Sequence, residues 1–256
     1  MRPSESRRAQ IAVFAALAAG VVAHSSVIAA TFNDNDFLTW SQVAWGDVPA
    51  PGNISYLLET DFDSVFAPEG DLLQVGLPSP GHFLVFDSAD AIINYLPASG
   101  APGPLIASLD DPVTTSSGSL GGEVVTLALN VDFSDAGLLT GNLSIPFGDL
   151  MLTGLSGDLA FANGMSVRSL LPDADSVLGG GPLPSPGLSY SDFFMLLNEI
   201  DMSFNGGPVS TFADDHLELP ASTVTVTEPG SLGTAAAGML FLGIAAVLRG
   251  RRTLKL

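Results

Sequence analysis

Apolar residues recur at spacings of three and four in several stretches of the chain. In "NISYLLETDFDSVF", Ile54, Leu57, Leu58, Phe62 and Val65 share one helical face, with Asn53 placed to cap it and Pro68 to stop it. "SYSDFFMLLNEIDMSFNGG" predicts a second helix, with Ser191 or Ser189 as cap, a stripe of Phe193, Leu197, Ile200 and Phe204, and Asn205-Gly206 as its end. A third starts at Ser166 and lines up Val167, Leu170, Leu171, Ala174 and Leu178 before the glycines from Gly179. Pro172 lies inside it and is expected to kink or split it, because proline lacks the N–H of the helical ladder. "SADAIINYLPASG" predicts a short helix from Ser88, and "LLQVGLPSPGHFLVFDS" a small hairpin.

Two periods compete in "EVVTLALNVDFSD". Val125, Leu127, Leu129, Val131 and Phe133 alternate as in a strand, whereas Val124, Leu127, Ala128 and Val131 fit a helix equally well. "DFLTWSQVAWGD" predicts a short strand and turn, with Trp40 and Trp45 in the core. The run "ASGAPGPLIASLDDPVTTSSGSLGG" is expected to be a flexible separator. The expected fold is α+β: one helix-rich domain with a few short strands over residues 31–222. A mainly β sandwich is the alternative.

The ends have a different character. Arg2, Arg7 and Arg8 precede the apolar run Ile11–Val22, and small residues follow, which describes a secretory signal peptide over residues 1–30 cleaved after Ala29 or Ala30. From Gly230 to Leu248 no residue is charged, and as a helix the segment reaches about 28 Å, close to a bilayer's hydrocarbon thickness. Arg249, Arg251, Arg252 and Lys255 follow and belong on the cytoplasmic side. The expected organisation is therefore signal peptide, exported domain, stalk at 223–229, one C-terminal transmembrane helix at 230–248 and a basic tail at 249–256.

Glu228-Pro229, the glycine- and alanine-rich span and the terminal arginines together resemble the PEP-CTERM sorting signal of Gram-negative bacteria. Thr227 stands where that family usually has its first proline. The resemblance implies a substrate of a membrane-embedded exosortase, which removes the tail and releases the protein or passes it to the cell surface. Signal peptidase and exosortase are then the processing partners, and the inner membrane is occupied only transiently. The pieces "WSQVAWG", "YLLETDFDSVF", "AIINYLPASG", "GGEVVTLALNVDFSDAGL", "FGDLMLTGL", "VRSLL" with "LGGG", and "STFADDHL" also resemble a recurrent module of secreted bacterial surface proteins. That module implies a helix over Gly121–Phe133 and assigns no activity or ligand.

Charge is divided between these parts. Of 27 acids only Glu5 and Glu228 lie in the two ends, whereas of eight Lys and Arg only Arg168 lies between them. So acidic an exported part repels nucleic acid and suits a solvated coat, with divalent cations or basic partners as the alternative. No cysteine is present, which excludes disulfides and thiolate chemistry. G-x-S-x-G, H-E-x-x-H and the phosphate-binding G-x-x-x-x-G-K-[ST] do not occur, and outside the signal peptide only His82 and His216 remain.

Clustered oxygens offer what candidate chemistry there is. Asp34 and Asp36, Asp61 and Asp63, Asp173 and Asp175, and Asp214 and Asp215 beside His216 suit calcium, although none matches an EF-hand loop. Turn and cap residues are the alternative reading of each. Three function classes result. The leading one is a non-enzymatic surface or extracellular-matrix protein without catalytic residue or cofactor, with matrix or polysaccharide as candidate partners. The others are a calcium-dependent adhesion module and a secreted hydrolase using paired carboxylates.

Overall fold

A computed structural model describes residues 32–221. The signal peptide with Ala29 and Ala30, the sorting residues Glu228, Pro229, Arg249, Arg251 and Arg252, and the span 230–248 lie outside the described residues. Among the described residues no helix is long and apolar enough to cross a membrane.

The architecture is helix-rich α+β. Seven α-helices are described: α1 (Gln42–Trp45), α2 (Ile54–Phe66), α3 (Ala89–Tyr95), α4 (Ser119–Asp135), α5 (Val167–Leu178), α6 (Tyr190–Asp201) and α7 (Thr211–His216). Strands β1 (Leu73–Gly76) and β2 (Phe83–Phe86) form the expected hairpin, with Leu73 opposite Phe86 and Gly76 opposite Phe83. Strand β3 (Leu109–Asp110) joins β2 in parallel, and β4 (Met151–Leu152) pairs antiparallel with β5 (Leu217–Glu218).

Helix α4 is the axis of the fold, and every residue from Leu120 to Val131 is buried. A helix enclosed on all sides needs no polar face, so its apolar positions satisfy the strand and helix templates alike. Burial all round is thus the reason for the ambiguity, and the sandwich alternative falls with it. Glycines at the start of α4 allow close approach. A Cβ on Gly122 would collide with the Gln42 side chain, and one on Gly121 with Ser117 and the Tyr95 hydroxyl.

The caps match their sequence signals. Asn53 accepts from Tyr56 N–H at 2.9 Å, Ser88 caps α3, and Ser166 accepts from Ser169 N–H at 3.1 Å. Of the two serines placed to start α6, Ser189 is the cap and forms a reciprocal capping box with Asp192. Helix α5 runs through Pro172 as a single element, so it is not split. Pro172 is exposed on this helix.

Three expectations need correction. The "WSQVAW" region forms α1, capped by Ser41, instead of a strand; only Thr39 makes a bridge, to Asn205. Trp45 is fully buried against Phe133 at 5.1 Å, while Trp40 is half-buried at the edge. Helix α6 ends at Asp201, and Phe204 reaches the core from the following turn, where its N–H donates to Thr39 Oγ1 at 3.1 Å. The glycine- and proline-rich run after α3 is no loose separator. Leu105 is buried and its N–H donates to Leu178 O at 2.8 Å, and the run supplies β3.

Candidate functional site

The four acidic clusters resolve into separate structural roles. Asp36 Oδ2 accepts from Asn33 N–H at 2.8 Å, and Asp34 Oδ1 accepts from Val209 N–H at 3.1 Å. This turn therefore stitches the start of the described chain to the loop after α6. Asp61 accepts from Thr60 Oγ1 at 2.9 Å on α2, and Asp63 is exposed on the same helix. Asp214 and Asp215 are exposed on α7, and His216 Nδ1 lies 3.1 Å from Thr153 O. Asp173 and Asp175 share α5, where Asp175 Oδ1 accepts from Gly76 N–H at 2.8 Å. Among the described residues no three acids or histidines gather in a geometry that could hold a metal ion.

A different set of polar residues comes together in the core. Glu123 and Asn130 are buried on α4, and Asp201 is buried at the end of α6. Asn130 uses its whole amide. Its Oδ1 accepts from Trp40 N–H at 2.9 Å and Trp45 Nε1–H at 3.2 Å, and its Nδ2 donates to Trp40 O and to Asp201 Oδ1, each at 2.9 Å. Glu123 Oε1 accepts from Gln42 Nε2 at 2.5 Å and Asn198 Nδ2 at 3.0 Å. Gln42 Oε1 in turn accepts from Ala98 N–H at 3.0 Å. One network thus connects α1, the turn at Pro97-Ala98, α4 and α6.

Two oxygens of the network, Glu123 Oε2 and Asp201 Oδ2, are buried and receive no hydrogen bond from any amide or hydroxyl. The two carboxyls lie within hydrogen-bonding reach of each other. Burial pushes the Asp201 carboxyl well above the ordinary carboxylate range, and the neighbouring Glu123 charge adds to this. Burial also raises Glu123, opposed by its hydrogen bonds from Gln42, Asp201 and Asn198.

A cleft of about 380 Å³ opens above Glu123, between Gln42, Pro97, Phe194 and Asn198. Paired carboxyls can serve as acid and base. Here, however, Glu123 is only 2% exposed, and its Oε1 already accepts two hydrogen bonds. The arrangement suits fastening helices better than presenting a base to a substrate.

Sequence reasoning missed this set, although a signal existed. Glu123 and Asn130 are polar residues at the two ends of a run that is apolar except for Thr126, and they stand seven residues apart, two helical turns. As a strand the run would put them on opposite faces; as a helix it puts them on one. Asn198 and Asp201, three apart on α6, complete the match. Compared with family models, curated proteins and solved structures, the chain matches none.

Proposed function

We propose that this chain is an exported, non-enzymatic surface or extracellular-matrix protein, sorted through its C-terminal signal. The carrying observation is the order of its parts: a basic-apolar-small leader, an acidic domain with Arg168 as its one cation, then Glu228-Pro229, an uncharged span and arginines. In this reading the leader directs export, the span at 230–248 halts translocation and the cations hold the terminus inside. Exosortase cleavage beside the span then frees the domain.

The domain's own start is compatible with leader removal after Ala29 or Ala30. Phe32, the second or third residue after the proposed cut, is buried against Phe37 and Phe204, at ring separations of 5.8 and 5.3 Å. The test is the intact mass of the protein recovered from a host that carries an exosortase. The expected mass lacks the leader and everything from about Gly230 onward. A mass that includes residues 230–256 would replace sorting with a permanent single-span anchor.

A further inference from the structure

The core of an acidic domain has little reason to enclose two carboxyls without a cation, since an isolated buried charge is strongly disfavoured. Arg168 is the one Lys or Arg between residues 31 and 226, and it is committed elsewhere. Its guanidinium forms ion pairs with Asp135 and with Asp149, the latter at 3.1 Å. Glu123 and Asp201 must therefore be accommodated by a proton.

We propose that Glu123 and Asp201 share one proton across the α4–α6 contact and form a pH-sensitive lock that fastens α1 and the Pro97-Ala98 turn as one wall of the cleft. Asp201 donates through Oδ2 to Glu123 Oε2, which accounts for both oxygens that no other group reaches. Glu123 holds the single negative charge, stabilised by Gln42 and Asn198. Gln42 extends the lock to the Ala98 amide.

Among the described residues no other ionisable group acts on the pair. Helix α1 and the Pro97-Ala98 turn bring none. Helix α6 also carries Asp192 and Glu199, α7 carries Asp214, Asp215 and His216, α3 carries Asp90 and Tyr95, and the far end of α4 carries Asp132 and Asp135; α5, packed on α4, carries Arg168, Asp173 and Asp175, and the turns packed on α4 and α6 carry Asp149 and Asp158. The environment of the two carboxyls is set by burial, by each other and by Gln42, Asn130 and Asn198. Losing the shared proton would leave two buried negative charges in contact. The relief is for the network to open where α1 and the turn reach α4, through the Gln42–Glu123 and Ala98–Gln42 hydrogen bonds.

The sign follows from linkage. In the closed state Asp201 keeps its proton above the pH at which a solvated carboxyl releases it, so opening releases one proton in that range. The open fraction then grows about tenfold per pH unit.

The test uses the full chain at pH 8, where surface carboxyls are ionised. Infrared spectroscopy should show the C=O stretch of a buried protonated carboxylic acid in the wild type, and that intensity should be lost in both Asp201→Asn and Glu123→Gln. Hydrogen exchange at the Ala98 amide should accelerate with pH about tenfold per unit beyond the intrinsic base-catalysed rate in the wild type. In whichever variant folds, it should follow the intrinsic rate alone. A wild-type spectrum whose protonated-acid intensity is unchanged by either substitution overturns the proposal. So does an Ala98 exchange profile that follows only the intrinsic rate in the wild type. The wild-type exchange profile needs no variant to fold.

Discussion

Asp132 shows how burial, with neighbouring acids, sets the behaviour of a carboxyl. It sits near the end of α4, and burial, with Glu69 and Asp135 nearby, pushes its carboxyl up to about 7. Asp175 on α5 is raised to about 6 by burial, opposed by the Gly76 N–H. In both, the folded state binds the proton more tightly than the unfolded chain. Their contribution to stability is therefore greatest below about pH 4 and is lost as pH rises through 6 and 7. Asp132→Asn removes the penalty at its source. At pH 8 the variant is expected to gain on the order of 1–3 kcal/mol, several degrees in melting temperature, with the gain vanishing near pH 4. Thermal melts at the two pH values check this, and equal gains at both would show that titration is not the cause.

At the scale of elements, Pro172 is the clearest conflict between local preference and final structure. An interior proline costs a helix about 3 kcal/mol relative to alanine, partly offset by the freedom it removes from the unfolded chain. Helix α5 nevertheless forms, because Val167, Leu170, Ala174, Val177 and Leu178 are all buried. Pro172→Ala is expected to raise stability by about 1 kcal/mol, read as a higher denaturation midpoint. A lower midpoint would mean that the proline's shape is needed where it stands. The elements with one wet face were legible from spacing: α2, α5 and α6 lie where their caps and stripes put them, within the end of α6. Helix α4 was not, because a segment buried on all sides carries no periodic contrast for either template.

The described residues share one continuous core, from Phe32 to Leu217 in sequence, and no cysteine reinforces it. Residues 31–226 treated with a chelator should therefore melt cooperatively. Adding millimolar calcium should leave the melting temperature unchanged. A rise would instead indicate calcium binding to the folded state and restore the adhesion reading.

Local patterns along the chain determined the caps, the wet-faced helices, the β1–β2 hairpin and the helix-rich class, because each depends on neighbours within a few residues. The terminal signals proposed for this chain rest on sequence alone, on an order of charge and hydropathy at its two ends. Tertiary structure alone decided the state of "EVVTLALN", the docking of the glycine-rich run as β3 and the meeting of Glu123 with Asp201. Those two acids are 78 residues apart, on helices whose contact no local pattern encodes. The acidic clusters that stood out in the sequence did so by adjacency, and most of their carboxylates stay solvated on surface turns and helices, Asp36 and Asp175 excepted. The pair that burial brings together was separated in sequence, and only the packing of α6 on α4 removes both from water.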